Sequence, residues 1–108
     1  MPIVYLYTNL KQSDLKEGIE LRMAQAVAET IGKPVEKMTV AIQAGVRLLR
    51  AETTEPACTL HIYSLGSFDK ERNPKYGPSI KQLLKDELGL EAERCGIIYH
   101  DVEFDFIG

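Results

Sequence analysis

Several residue types are scarce in this sequence, and each scarcity excludes a class of protein. The 108 residues include no tryptophan, two cysteines and two histidines. Cys58 and Cys95 lie far apart in the sequence without metal-ligand spacing, so we expect two reduced, buried thiols, as in a cytosolic protein. His61 and His100 have no carboxylate or second histidine at metal-ligand spacing, which favours structural or exposed roles. The sequence therefore predicts neither a disulfide framework nor a metal site.

Positive charge and long apolar runs are also lacking. The 13 Lys and Arg residues are outnumbered by 16 Asp and Glu residues, which gives a net charge of −3. No basic patch stands out, so we expect no nucleic-acid partner and no membrane-surface partner. The apolar run at the start is too short to span a membrane, and no positively charged region precedes it. These features predict a cytoplasmic protein, although leaderless secretion stays open.

What the sequence does contain is a pattern of strands and amphipathic helices. With 44% hydrophobic residues, residues 1–108 are long enough for one globular domain with a single core. The first helix is expected to begin at the capping residue Ser13 and to end at Gly32. The second begins at either Asn73-Pro74 or Gly77-Pro78, and it ends at Gly89. Apolar, β-branched runs predict four strands, which lie between Pro2 and the turn at Thr8-Asn9, over 38–43, over 58–65 and over 96–102.

An internal repeat organises these elements. A shift of 57 residues, without a gap, aligns Ile3 with Leu60 and Gly32 with Gly89, and it relates two pseudo-repeats that span residues 2–43 and residues 57–102. Two strand-helix-strand units with right-handed crossovers predict an α/β (α+β) fold, in which two β-α-β repeats form one four-stranded mixed sheet with both helices on a single face. The strands are apolar on both sides, so the other face must be buried as well. The simplest partner that could bury this face is another copy of the same chain.

The residue with the most distinctive potential chemistry is Pro2. It leads directly into the first strand, where the first residue need not donate to the ladder. If Met1 is removed, Pro2 becomes a secondary amine with almost no conformational freedom. An α-amino group titrates near pH 8, and burial or a nearby cation lowers that value. Pro2 is therefore a candidate general base near neutral pH.

Several short motifs occur in a fixed order along the sequence. They are Pro2 itself, Thr8-Asn9, Ile31-Gly32-Lys33-Pro34, Thr54-Glu55-Pro56, Ser64-Leu65-Gly66 and Glu93-Arg94. On these motifs the sequence resembles, from Pro2 to about Asp101, the macrophage migration inhibitory factor and D-dopachrome tautomerase family. The resemblance implies a homotrimer in which three sheets close into a barrel, with an active site at each subunit interface.

The resemblance also implies a role for each matching residue. Pro2 matches the catalytic base that moves a proton between carbon and oxygen of a keto–enol pair. Lys33 matches the cation that binds the substrate carboxylate, and the backbone N–H of Leu65 matches a second donor to that carboxylate. The implied substrate is a small 2-keto or enol acid of the phenylpyruvate type, and no metal or organic cofactor is implied.

The sequence departs from the family at four candidate pocket positions. Gly96 and Ile98 replace a tyrosine and an asparagine that line the neighbouring subunit's pocket. Lys37 replaces a pocket tyrosine, and Arg50 replaces a loop phenylalanine or leucine. We therefore expect a more cationic pocket than that of the cytokine member.

Two alternatives to a tautomerase stay open. One is a decarboxylase or hydratase of the same superfamily, in which Pro2 acts as an acid or electrostatic catalyst. Its helpers would be Arg47 or Arg50 and a carboxylate such as Glu52. The other alternative is a non-enzymatic, cytokine-like binding protein in which Pro2 keeps only residual chemistry.

Overall fold

Two β-α-β units follow one another along the chain, as the repeat predicts. The computed structural model describes all 108 residues. The strands are β1 (Ile3–Thr8), β2 (Thr39–Gln43), β3 (Cys58–Ser64) and β4 (Cys95–Asp101), and the helices are α1 (Ile19–Ile31) and α2 (Asn73–Leu88). Neither helix has the length and apolar character needed to cross a bilayer.

The four strands form one mixed sheet in the order β2-β1-β3-β4. Within each unit the two strands are parallel and joined by a helix, whereas the central strands β1 and β3 are antiparallel. This arrangement places the start of β1 beside the start of β2 and beside the end of β3. The predicted four-stranded mixed sheet is therefore confirmed.

One face of the sheet carries the core. Side chains alternate between faces along a strand, and every second residue of β1 and β3 is fully buried. Both helices pack there, because their apolar residues recur at three- and four-residue steps. The largest fully buried members of this core are Val4, Leu6, Ile19, Met23, Val27, Leu60, Ile62, Ile80 and Leu84.

The opposite face, which we call the open face, has no helix over it. Its central side chains are half-buried aromatic and histidine residues that contact one another. No Asp or Glu of the four strands points to this face. Its members are Ile3, Tyr5 and Tyr7 of β1, Thr39, Ala41 and Gln43 of β2, Thr59, His61 and Tyr63 of β3, and Gly96, Ile98 and His100 of β4.

The start of α1 differs from the prediction. Helix α1 begins at Ile19 rather than at Ser13, because Gly18 adopts a left-handed φ of 79° that interrupts the helical path. Ser13 lies in a short 3-10 turn, whose Asp14 carboxylate accepts the Lys11 N–H at 3.0 Å. Helix α2 begins at Asn73, the earlier of its two predicted starts.

The gapless repeat is correct for the helices and wrong for the first strand of each unit. The shift of 57 places Met23 on Ile80 and Gly32 on Gly89, and these positions are equivalent in the structure. It also places Val4 on His61, although Val4 lies on the core face and His61 on the open face. A one-residue slip moves a strand's side chains to the other face, so the two units differ by one residue between the first strand and the helix.

Candidate functional site

Pro2 is fully buried where three strand ends meet. Its carbonyl accepts the N–H of Thr39, the first residue of β2, at 3.0 Å. Because Ile3 pairs with Tyr63 in an antiparallel ladder, Pro2 follows opposite Ser64, at the end of β3. We call this edge of the sheet the proline end.

Lys33 reaches the proline end from the end of α1. Gly32 stops the helix with a left-handed φ of 72°, and the Lys33 N–H then donates to Ala28 at 3.0 Å. The half-buried side chain of Lys33 extends to Leu65, the residue after β3, where Nζ donates to the carbonyl oxygen at 3.0 Å. No carboxylate pairs with this ammonium group.

Leu65 offers a free hydrogen-bond donor beside that ammonium group. Its carbonyl accepts from Lys33, but its own N–H makes no hydrogen bond within the chain. Two donors that could bind an anion, one charged and one neutral, therefore lie together at the proline end.

Lys37 lies at the same end. It closes the 3-10 turn Val35–Lys37, which leads into β2, and its carbonyl accepts the amino group of Met1 at 3.3 Å. Its side chain is exposed and makes no ion pair. The proline end therefore combines a buried proline with two unpaired cations.

The other three candidate residues lie elsewhere in the chain. Gly96 pairs with Thr59 at the start of β3, Ile98 is 47% exposed in the middle of β4, and the Arg50 guanidinium group covers Gly96. We call this edge, with Arg50 and Gly96, the arginine end. Thr59 and Ser64 are five residues apart along β3, so at about 3.3 Å per residue this edge lies about 16 Å from the proline end. A single chain therefore does not assemble all seven candidate residues into one pocket.

A strained turn presents Arg50. The backbone groups of Arg50 and Thr53 exchange two hydrogen bonds of 3.0 and 3.1 Å. Ala51 and Glu52 between them have φ values of 52° and 65°, the left-handed region that non-glycine residues rarely adopt. The turn persists because the surrounding groups hold it from outside.

Arg94 is the residue that holds this segment, and the sequence indicated it only as part of a family motif. Its guanidinium group donates to the carbonyls of Pro56 (3.1 Å), Arg50 (3.0 Å), Glu55 (2.8 Å) and, more weakly, Thr53 (3.5 Å). Its position in the 3-10 turn before β4 offered no sequence signal for four carbonyl partners.

Arg47 and Glu52, the helpers considered for a decarboxylase or hydratase, are both exposed on the 44–57 segment. Arg47 lines a shallow depression with Asn9 and Pro56, and Glu52 occupies the strained turn. Because this segment belongs to the arginine end, neither residue approaches Pro2 of its own chain.

The fold brings the two histidines together, a contact that their spacing in the sequence does not indicate. His61 Nδ1 and His100 Nε2 are 2.9 Å apart on the open face, and Tyr63 stacks on His100 with ring centroids 4.1 Å apart. Burial, and secondarily the neighbouring His61, lower the pKa of His100. The chain has no group of three or more His, Cys, Asp or Glu residues able to hold a metal ion.

The two cysteines also meet, as paired residues of β3 and β4. Both are free and buried, as expected. A hydrogen bond from Cys58 lowers the pKa of the Cys95 thiol, and the same bond, together with burial, raises the pKa of Cys58. Both cysteines lie on the core face of the sheet, so they are separate from the candidate residues on the open face.

Comparison with known proteins adds an independent observation. The family model described as Macrophage migration inhibitory factor (MIF) matches residues 1–108. Among curated proteins, D-dopachrome decarboxylase of Mus musculus is 35% identical over 109 residues, covering 100% of this chain and 92% of its own length. The MIF-like protein mif-2 of Caenorhabditis elegans is 33% identical over 102 residues, covering 94% and 85% respectively.

Solved structures share the fold. The macrophage migration inhibitory factor of Trichinella spiralis superimposes with a TM-score of 0.93 at 24% identity, over 98% of this chain and 94% of that chain. A homologue from Prochlorococcus marinus gives a TM-score of 0.87 at 23% identity, over 98% and 93%.

Proposed function

The chain belongs to the macrophage migration inhibitory factor family, and we propose that it is a keto–enol tautomerase of a small 2-keto acid of the phenylpyruvate type. The nitrogen of Pro2 is the general base. Lys33 and the N–H of Leu65 bind the substrate carboxylate. Lys37 of the same chain lines the pocket, and so do Arg50, Gly96 and Ile98 of a neighbouring copy.

One observation carries this proposal. The Lys33 ammonium group is held 3.0 Å from the Leu65 carbonyl, it has no carboxylate partner, and it lies at the same sheet end as the buried Pro2. Because this half-buried cation has a carbonyl partner but no anion, a carboxylate ligand would form a stronger, charge-assisted hydrogen bond with it. A 2-keto acid supplies that anion and holds the carbon that exchanges its proton two bonds from the carboxylate carbon.

The reaction needs only a proton carrier and anion recognition. With Met1 removed, the Pro2 nitrogen has a lone pair that accepts a proton from the carbon next to the keto group. The electron pair of the broken C–H bond forms the enol double bond, and the keto oxygen then takes the proton. The reverse path gives ketonisation. Lys33 holds the carboxylate still and, as a nearby cation, favours neutral Pro2.

We also propose that the protein is a homotrimer. The open face carries half-buried aromatic residues that no helix covers. The candidate residues lie at two ends of the sheet about 16 Å apart, with Ile98 between them. Both observations support an assembly in which the arginine end of one copy meets the proline end of the next. Sedimentation equilibrium is expected to give three times the chain mass of 12.1 kDa, and a stable monomer at micromolar concentration would contradict the proposal.

The enzymatic test is the ketonisation of enol phenylpyruvate, followed by loss of enol absorbance. Intact mass spectrometry of the same batch establishes whether Met1 is present. While Met1 remains, the Pro2 nitrogen is an amide whose delocalised lone pair accepts no proton at neutral pH. Protein without Met1 is expected to be active, and folded protein that keeps Met1 is expected to be inactive.

Two results would reject this assignment. Full activity in protein that keeps Met1 would remove Pro2 from the mechanism. Absence of activity in trimeric protein without Met1, with both phenylpyruvate and hydroxyphenylpyruvate, would favour the non-enzymatic binding protein instead.

A decarboxylase is the second candidate, because two relatives with at least 33% identity are named D-dopachrome decarboxylase. It uses the same proline end, with Arg47 or Arg50 and Glu52 of a neighbouring copy as helpers. Measuring carbon dioxide release alongside enol absorbance separates the two reactions.

A further inference from the structure

We propose that Arg50 binds a second carboxylate of the substrate, so that the protein prefers 2-keto acids with an anionic group at both ends. This inference rests on the proposed function, in which the arginine end of one copy completes the pocket of the next. It adds the class of substrate and the residue that selects it.

The backbone of Arg50 is fixed before any ligand binds. Its N–H and carbonyl both pair with Thr53, and its carbonyl also accepts from Arg94 Nη1 at 3.0 Å. The two residues that follow it have left-handed φ values. Strained backbone of this kind clusters at ligand-binding sites, where it fixes a side chain in advance.

The side chain of Arg50 is held by its inner nitrogen and free at its outer ones. Nε donates to the Glu93 carbonyl at 3.1 Å, whereas the two Nη nitrogens donate no hydrogen bond within the chain, and no carboxylate forms an ion pair with them. The four unused N–H groups lie in one plane, the geometry that binds a carboxylate through two parallel bonds.

Gly96 leaves room for this guanidinium group. A Cβ built on Gly96 would lie 3.1 Å from Arg50 Nη1 and 3.8 Å from Cζ, so a larger side chain would displace the arginine. The glycine and the arginine therefore act together, and they place a cation on the edge of the open face.

The charge of the complete pocket favours a dianion. Lys33 and Lys37 at the proline end have no ion-pair partners, and neither does Arg50 at the arginine end. Exposed, apolar Ile98 is the next open-face residue of β4 after Gly96. A substrate with one carboxylate leaves the half-buried Arg50 without an anionic partner, whereas a second carboxylate supplies one.

The kinetic test compares enol phenylpyruvate with its 4-carboxy analogue, which differs only by the second carboxylate. Protein without Met1 is expected to have a higher kcat/KM for the 4-carboxy substrate. Arg50→Gln is expected to lower that kcat/KM about tenfold to a hundredfold, mainly through KM, because a charge-assisted, two-point contact is lost. The loss of kcat/KM for phenylpyruvate is expected to be smaller, because that substrate has no second carboxylate for Arg50 to bind. Equal losses on both substrates, or no loss on either, would overturn the inference.

Two further variants serve as controls. Arg50→Lys keeps the charge but lacks the planar fork, so an intermediate KM is expected. Lys81→Gln removes one exposed cation of α2, outside the pocket, and is expected to leave both substrates unchanged. Sedimentation and thermal denaturation show whether Arg50→Gln still folds and assembles.

Binding of unreactive acids separates this inference from the proposed activity. Calorimetry compares cinnamate with 4-carboxycinnamate. Tighter binding of the dicarboxylate that Arg50→Gln abolishes would support the inference even if no tautomerase activity were found. Equal binding of the two acids by the unaltered protein would overturn it, whatever the activity.

Mixed trimers test whether Arg50 acts on a neighbouring copy. Lys33→Ala and Arg50→Gln trimers are each expected to turn over the 4-carboxy substrate poorly. If equal amounts are unfolded together and reassembled at random, about a quarter of the interfaces combine an intact Lys33 with an intact Arg50 from the next copy. Recovery of about that fraction of activity is expected, and no recovery would overturn the proposal.

Discussion

The two β-α-β units share the same turns, but the residues at equivalent positions of those turns make different contacts. In both, a glycine with φ near 70° ends the helix, and a 3-10 turn leads into the next strand. After Gly32 comes Lys33, which extends to Leu65, whereas after Gly89 comes Leu90, which is only 5% exposed.

The 3-10 turns show the same contrast. Lys37, in the first unit, is exposed and unpaired, whereas Arg94, four residues after Leu90, donates to four carbonyls of the 50–56 segment. The repeated scaffold thus leaves two cations without ion pairs in one unit, and in the other unit the residues at the same positions pack or bond within the chain. Exchanging residues between the units tests this interpretation.

The largest effect is expected for Leu90→Lys, which gives the second unit the residue of the first. An ammonium group at a 5% exposed position is expected to lower the free energy of unfolding by at least about 3 kcal/mol. Urea denaturation at a fixed protein concentration measures this change, because assembly makes stability depend on concentration. Leu90→Met is the control, with a loss below about 1.5 kcal/mol. If Leu90→Lys were as stable as the unaltered protein, burial of the residue after the helix-ending glycine would not distinguish the two units.

Arg94→Ala is expected to have the next largest effect. It removes one donor from each of four backbone carbonyls, and the carbonyl of Pro56 then has no donor left within the chain. The strained turn at Ala51 and Glu52 also loses its support. We expect a loss of about 2 kcal/mol in the free energy of unfolding. The equivalent change in the first unit, Lys37→Ala, is expected to cost less than about 0.5 kcal/mol. Similar losses in both variants would remove the contrast between the two turns.

The fold was predictable because hydrophobic periodicity and the terminal glycines act locally. Alternation along β3 and the positions of Gly32 and Gly89 are enough to place strands and helix ends. The start of α1 was missed because a capping serine and an interrupting Gly18 compete, and sequence alone does not rank them. The one-residue slip between the units was missed because both faces of β1 and β3 are apolar or aromatic, so either register satisfies the pattern.

The candidate site was predictable only in part, for a different physical reason. The residues of the proline end follow local signals, such as a proline before a strand and a lysine after a helix-stopping glycine. The contacts of Arg94 and the pairing of His61 with His100 join residues about 40 apart in sequence. Such contacts depend on strand order and register, which no short motif encodes.

Lys33→Leu gives the first unit the residue type of the second. Loss of the ammonium group is expected to lower kcat/KM for phenylpyruvate about tenfold or more, mainly by raising KM, and to raise the apparent pKa of the Pro2 base. The free energy of unfolding is expected to change by less than about 0.5 kcal/mol. Steady-state kinetics across pH test both effects. Unchanged kinetics and an unchanged pH profile would assign Lys33 to the helix end alone.

The smallest effect concerns His100, whose counterpart in the first unit is Gln43. The pKa of His100 is lowered in the folded protein, so the unfolded chain binds its proton more readily. Its contribution to stability is therefore present above the unfolded pKa of about 6.5 and is lost as pH falls through the lower, folded pKa. No carboxylate on the open face offsets the charge; the groups that face the ring are His61, 2.9 Å away, and the stacked Tyr63.

His100→Gln is expected to flatten the decline in Tm between pH 7 and pH 5 by about 1 to 2 °C, while Gln43→Ala leaves the decline unchanged. Parallel declines in the unaltered protein and in His100→Gln would show that the histidine pair contributes nothing to the pH dependence of stability.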